Sequence, residues 1–261
     1  MLMRHQTQLR PLQVLLTRPL DQSKQTAEWI ESEGGIAHIF PCLVVLPTDP
    51  RPLQQALVDV SRHSAVAVTS VHAARALIAH WPTEKKLPPL FVLGNKTAQT
   101  LAKAGLVPTE IVDGETATAR QLAKRLLAAI PATDKPVLFP QAETGREELP
   151  LLLAAARRNV EKVAVYQTVP ATKEALLPAV QLLRERRIDL WPVGSPKTAQ
   201  VLLDVLSDEA ASLLAGVCVG AIGQTTAQAL RDRNLRVDVV AEQPEFEDLL
   251  IRLAEAAARR E

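Results

Sequence analysis

The chain is poor in aromatic rings and thiols. Only 3% of its 261 residues are aromatic, with a single tyrosine, Tyr166, and there are two cysteines, Cys42 and Cys218. Both cysteines sit in apolar runs, with no Cys-x-x-Cys spacing and no histidine within three residues. They read as buried thiols of a reduced compartment rather than as a disulfide or a metal site. Charge of one sign is also missing. The net charge of +1 argues against a non-specific field for nucleic acid or a membrane surface, so a polyanionic ligand would need local donors. No run approaches the roughly 18 apolar residues that span a bilayer. Met1 to Arg10 lacks the apolar core of a signal peptide, and a cytoplasmic location is expected. The five histidines (His5, His38, His63, His72, His80) show no metal spacing and no nucleophile partner. No metal and no cofactor is expected.

What is present is regular alternation. Short apolar strands such as Val14–Leu16, Ala65–Val68, Leu90–Leu93, Pro136–Phe139 and Val217–Val219 alternate with amphipathic helical stretches, which predicts an α/β fold with parallel sheets. Pro41–Pro47 breaks the alternation as a proline-bracketed extended run where a helix would be due, and Gln167-Thr168-Val169-Pro170 mirrors it after the strand Val160–Tyr166. These read as crossovers at about 41–47 and 164–170. The expected architecture is two doubly wound, flavodoxin-like parallel-sheet domains joined by a two-stranded connector, with a cleft between them. One domain is discontinuous (1–41 plus 168–261) and the other is inserted (44–166). Nothing requires more than a monomer.

Internal repetition points to function. Val217-Cys-Val-Gly-Ala-Ile-Gly-Gln-Thr-Thr-Ala227 reads as strand, glycine turn and helix start, and Phe91-Val-Leu-Gly-Asn-Lys-Thr-Ala98 repeats it. Gly94 and Thr97 align with Gly223 and Thr226. Such turns present free N–H groups and a positive helix end to an anion. The Gly-Lys-Ser/Thr ending of a Walker A loop is missing from both. Two readings stand for them, helix caps (Thr225 satisfying an orphan N–H) or a pair of anion sites. Val68-Thr-Ser-Val-His-Ala73 is likewise repeated as Val193-Gly-Ser-Pro-Lys-Thr198, and Asp113-Gly-Glu-Thr falls in the position of Glu242-Gln-Pro-Glu. Thr69, Ser70 and Ser195 are therefore candidate N-caps at carboxyl strand ends, where open α/β sheets bind ligands. Arg18, ending the first strand, and Arg146, with Gly145 opening a helix, are candidate carboxylate partners. Tyr166 lies near a crossover. Trp191 and Trp29 read as packing residues.

In order and spacing, Leu15-Leu-Thr-Arg-Pro19, Thr69-Ser-Val-His-Ala73, Gly94-Asn-Lys-Thr-Ala98, Gly145-Arg146, Val163-Ala-Val-Tyr166 and Ile222-Gly-Gln-Thr-Thr-Ala227 together resemble the uroporphyrinogen-III synthases. The resemblance implies the HemD-like fold of two α/β domains. It implies a cofactor-free cyclising hydro-lyase of tetrapyrrole and haem biosynthesis, which closes hydroxymethylbilane to uroporphyrinogen III with inversion of ring D. A hand-over of substrate from hydroxymethylbilane synthase goes with it. It casts Tyr166 as the group that helps the hydroxyl leave, and Thr225, Thr226, Thr69, Ser70 and Ser195 as groups lining the substrate cleft. The chain departs from the family at Gly194-Ser195, where a Thr-Ser pair is usual, and at Pro140-Gln141, where Arg-Gly is common. The alternative from another class is a non-catalytic cytoplasmic two-domain binding protein or sensor for a polycarboxylate or other small anion.

Overall fold

A computed structural model describes residues 12–82, 86–114 and 117–260. Met1 to Arg10 with His5, and Glu115 and Thr116 of the expected repeat, lie outside the described residues. In chain order the elements are β1 (Gln13–Leu16), α1 (Leu20–Ser32), β2 (Ile36–Ile39), β3 (Leu43–Pro47), α2 (Arg51–Val58), β4 (Ala65–Val68), α3 (Val71–His80), β5 (Leu90–Leu93), α4 (Asn95–Lys103), β6 (Glu110–Val112), α5 (Ala119–Ala129) and β7 (Val137–Ala142). They continue with α6 (Glu148–Ala155), β8 (Val160–Pro170), α7 (Lys173–Arg184), β9 (Leu190–Val193), α8 (Pro196–Leu206), α9 (Ala210–Leu213), β10 (Cys218–Ala221), α10 (Gln224–Arg231), β11 (Val239–Val240) and α11 (Phe246–Ala258). The chain gathers into two compact units. One comprises the residues up to Val44 and from Val169 onward, the other Val45–Thr168.

The first unit holds a five-stranded sheet in the order β11-β10-β9-β1-β2, and its pairings are parallel. Counted within the unit this is 2-1-3-4-5, a doubly wound order whose switch point lies between β1 and β9. Side chains alternate between the two faces, as a strand period of 2 requires. Leu15, Trp191 and Val193 join the cluster under α7, α8 and α10. Val14, Leu16 and Leu190 join the one under α1 and α11. Trp191 is fully buried, and its indole N–H donates to Thr17 Oγ1 at 3.1 Å, which satisfies both polar groups. Gly220 belongs to β10 rather than to the turn expected there. A Cβ at Gly220 would meet Leu253 Cδ1 at 2.7 Å and Leu249 Cδ1 at 2.9 Å, so this glycine lets α11 close onto the sheet. β11 is only two residues long, Val239–Val240. Before it, the Asp238 carboxylate takes the Val219 N–H at 2.8 Å in place of a backbone carbonyl.

The second unit holds a six-stranded sheet, β3-β8-β7-β4-β5-β6, with β8 to β6 parallel. From β4 as its first strand the parallel part reads 3-2-1-4-5, with the switch point between β4 and β7. β4 (Ala-Val-Ala-Val) is buried on both faces, which is why it reads as a continuous apolar run. Val66 and Val68 pack with α2, α3 and α4, Ala65 and Ala67 with α5 and α6. Each fully buried leucine, such as Leu77 or Leu122, contributes about 2 kcal/mol of apolar transfer. Thr48 N–H donates to Val165 O, and Ala171 N–H to Cys42 O, so β3 runs opposite to β8. The boundary between units falls inside both strands.

Candidate functional site

At the second unit's switch point, β4 ends at Val68 and β7 at Ala142, and a cavity of about 530 Å³ opens beyond them. Thr69, Ser70, Thr118, Thr144 and Tyr166 are the hydroxyl-bearing residues of its wall, with Arg146 and Glu148 as the charged residues. Ser70 Oγ accepts the Ala73 N–H at 3.1 Å and caps α3. Thr118 Oγ1 accepts the Gln121 N–H at 3.3 Å and caps α5. These caps leave other first-turn N–H groups of both helices without intrahelical partners, so two positive helix ends open on one cavity.

Tyr166 reaches this wall through a β-bulge. β7 and β8 pair in register from Val137↔Val160 to Gln141↔Ala164, then the register shifts and Ala142 pairs with Tyr166. The extra residue breaks the alternation: Val165 and Tyr166, adjacent in sequence, both pack against the cluster beneath α3. A bulge re-aims a side chain in this way. The Tyr166 ring tilts against His72 of α3, centroids 5.2 Å apart at 45°. Tyr166 also lines a second cavity of about 440 Å³, together with His72 and Arg75.

Of the sequence candidates, Thr69, Ser70, Arg146 and Tyr166 meet in the one cavity. Arg146 is exposed in a loop, because α6 starts at Glu148 rather than at Gly145. Gly94 and Thr97 do not line that cavity. Gly94 has φ +88° and starts α4 with no side-chain cap, and Thr97 is buried. The Asn95 N–H at this turn already donates to the Asp113 carboxylate at 3.1 Å, which weighs against a second anion there.

In the first unit, Ser195 Oγ accepts the Thr198 N–H at 3.2 Å and reproduces the Ser70 cap, as the repeat predicts. Arg18 sits across the β1/β9 switch point with its guanidinium over the Phe246 ring. It donates to Gln22 at 2.8 Å and Thr26 at 3.3 Å, and burial lowers its pKa from the usual arginine value. Gly223, at φ 179°, is merely extended, and no side chain caps α10. Thr225 therefore does not serve as the expected N-cap. It is the second residue of α10 and exposed, whereas Thr226 is buried. The duplicated turns are thus alike in sequence and different in backbone.

Sequence reasoning missed His72, Thr118 and Gln141. His72 was legible as the second residue of a serine-capped helix at a strand end, and Thr118 as a cap candidate before an apolar period. Among the described residues no group of three or more His, Cys, Asp or Glu could hold a metal ion. No described helix is long and apolar enough to cross a membrane.

The family model described as uroporphyrinogen-III synthase HemD matches residues 24–251. The chain belongs to the uroporphyrinogen-III synthase family. Curated members from Synechococcus elongatus and Chlorobaculum parvum are each 26% identical to it. The first covers 94% of this chain and 95% of its own length, the second 88% and 92%. Among solved structures, a mutant uroporphyrinogen III synthase from Thermus thermophilus (TM-score 0.52, 18% identity) covers 96% of this chain and 100% of its own. The Helicobacter pylori enzyme (TM-score 0.51, 17% identity) covers the same shares. At that identity they support the fold of the family, two α/β domains with parallel sheets.

Proposed function

We propose that the chain is a uroporphyrinogen-III synthase, a cyclising hydro-lyase of tetrapyrrole biosynthesis that converts hydroxymethylbilane to uroporphyrinogen III with inversion of ring D and loss of water. The observation that carries this reading is Tyr166, re-aimed by the bulge into a hydroxyl-lined cavity at a switch point. Donors without concentrated cationic charge suit a substrate bearing eight carboxylates. They hold it without trapping the product.

In the proposed mechanism the Tyr166 hydroxyl donates a hydrogen bond to the hydroxymethyl oxygen as its C–O bond breaks. Hydroxide takes up a proton and leaves as water, and loss of the pyrrole N–H proton gives an azafulvene. Left free, that species closes to the uninverted isomer I. Held so that ring D attacks through its substituted carbon, it forms a spiro intermediate that reopens and recloses inverted; ring D then loses its α-carbon proton and the pyrrole nitrogen regains the one it gave up. Such control needs positioning more than strong acid-base groups, and the cavity limits side reaction with water. Thr69 and Ser70 act as substrate holders, with Arg146 as an exposed partner for a carboxylate. In the first unit Thr225 and Ser195 take the same role by family resemblance. The protein works as a cytoplasmic monomer and receives the unstable bilane from hydroxymethylbilane synthase.

The decisive assay supplies fresh hydroxymethylbilane, oxidises the products and separates the isomers. Isomer III in excess over the uncatalysed mixture is the expected outcome. Isomer I alone, formed at the spontaneous rate, would remove the activity and leave a binding protein.

A further inference from the structure

Gln141 is the penultimate residue of β7, one before the bulge partner Ala142, and is 9% exposed. Its side-chain Oε1 is the one buried side-chain polar atom with no hydrogen-bond partner among the described residues. Such an atom carries an uncompensated desolvation cost and calls for a reason. The side chain lines the switch-point cavity and is folded over Gly145. A Cβ on Gly145 would lie 2.7 Å from Gln141 Cδ, closer still to Oε1, and 3.0 Å from the Ala142 carbonyl oxygen. Since φ of Gly145 is not positive, backbone conformation does not demand a glycine there. Space for the Gln141 amide does. A side chain serving only to fill volume would be better as leucine or methionine, which leave no orphan acceptor.

We infer that Gln141 is a substrate-binding residue whose amide oxygen accepts a hydrogen bond from a pyrrole N–H of the bilane, an inference that rests on the proposed activity. Besides its single hydroxymethyl group the bilane offers two kinds of polar group, carboxylates that accept and pyrrole N–H groups that donate. The hydroxyl and helix-end donors of the cavity suit the first. An amide oxygen, which only accepts, suits the second. Rotation of the amide about its last bond exchanges its two ends within the same slot, which turns the oxygen toward the cavity when a donor arrives and leaves the NH₂ over Gly145 in its place. Pyrrole N–H recognition would orient a ring, whereas carboxylate recognition fixes only its substituents.

The test is Gln141→Leu, compared with wild type for KM, isomer ratio and thermal midpoint. Loss of the acceptor is expected to raise KM about tenfold and to increase the share of isomer I, with a thermal midpoint equal to or above wild type. An unchanged KM and isomer ratio would overturn the inference. If the variant fails to fold, Gln141→Met provides the same comparison. If wild type yields no isomer III, the activity reading fails separately, and titration with uroporphyrinogen III decides the role of Gln141. About tenfold weaker binding by Gln141→Leu supports it, and equal binding, or none to either protein, overturns it.

Discussion

Phe246 stacks under the guanidinium of Arg18, with the Arg18 Cζ 3.7 Å from the ring centroid. The same ring lies 3.2 Å from where a Cβ on Gly194 would stand. Glycine at position 194 therefore leaves the ring its space, and a side chain there would press on it. In Gly194→Thr the ring must move, at a cost of about 1–3 kcal/mol. In a Phe246→Ala background the same change should cost much less. A double-mutant cycle by urea denaturation measures this coupling, and additive effects would disconnect Gly194 from Phe246.

Tyr166→Phe keeps the ring that packs on His72 and removes only the hydroxyl. The urea midpoint should stay where it is, while the rate of isomer III formation falls by about 100-fold, the low end for a positioned proton donor. Unchanged turnover in the product assay would take Tyr166 out of the chemistry.

Exposure separates the two threonines that the sequence treats as a pair. Thr225→Ala should raise KM about tenfold, the loss of one hydrogen bond to a charged group, and leave stability alone. Thr226, 3% exposed, should act through packing, so Thr226→Val should shift the urea midpoint more than KM. Steady-state kinetics beside denaturation curves tests both. The opposite pattern would return the holding role to Thr226.

The α/β alternation was legible because strands such as Ala65–Val68 are apolar on both faces, and a buried parallel strand has no other way to read. The Ser70 and Ser195 caps were legible too, since a serine at a strand end before an amphipathic period has a local cause. What escaped the sequence depends on partners far along the chain. Gly220 is a glycine because Leu249 and Leu253 crowd it. The Asn95 turn is closed by Asp113, and β11 is shortened by the Asp238 side chain. The bulge that re-aims Tyr166 exists only in the register of β8 against β7. Gly94 and Gly223 look equivalent until φ is known.

The two serine caps predict matched losses. Ser70→Ala and Ser195→Ala each remove a side-chain acceptor from a third-position N–H, which should lower stability by about 1 kcal/mol apiece. Since Ser70 also lines the cavity, Ser70→Ala should raise KM in addition. Equal KM values for Ser70→Ala and wild type would leave Ser70 as a cap alone.

Burial pushes the Cys42 thiol up to about 12, and burial followed by the charge of Asp238 does the same for Cys218. Both groups are protonated in the fold at neutral pH, and neither should react with a thiol reagent until the chain is unfolded in urea. The sign follows from linkage. An unfolded cysteine ionises near 8.5, so above that pH the unfolded state releases protons that the folded state keeps, and stability falls with rising pH. Their contribution is intact below about pH 8.5 and is lost progressively as pH climbs to about 12. For Cys42, with no exposed surface, the slope should approach but not exceed about 1.4 kcal/mol per pH unit. Cys42→Ala, followed by denaturation midpoints between pH 8 and 10.5, should flatten the curve. An identical slope in the variant would show that other groups set the alkaline limit.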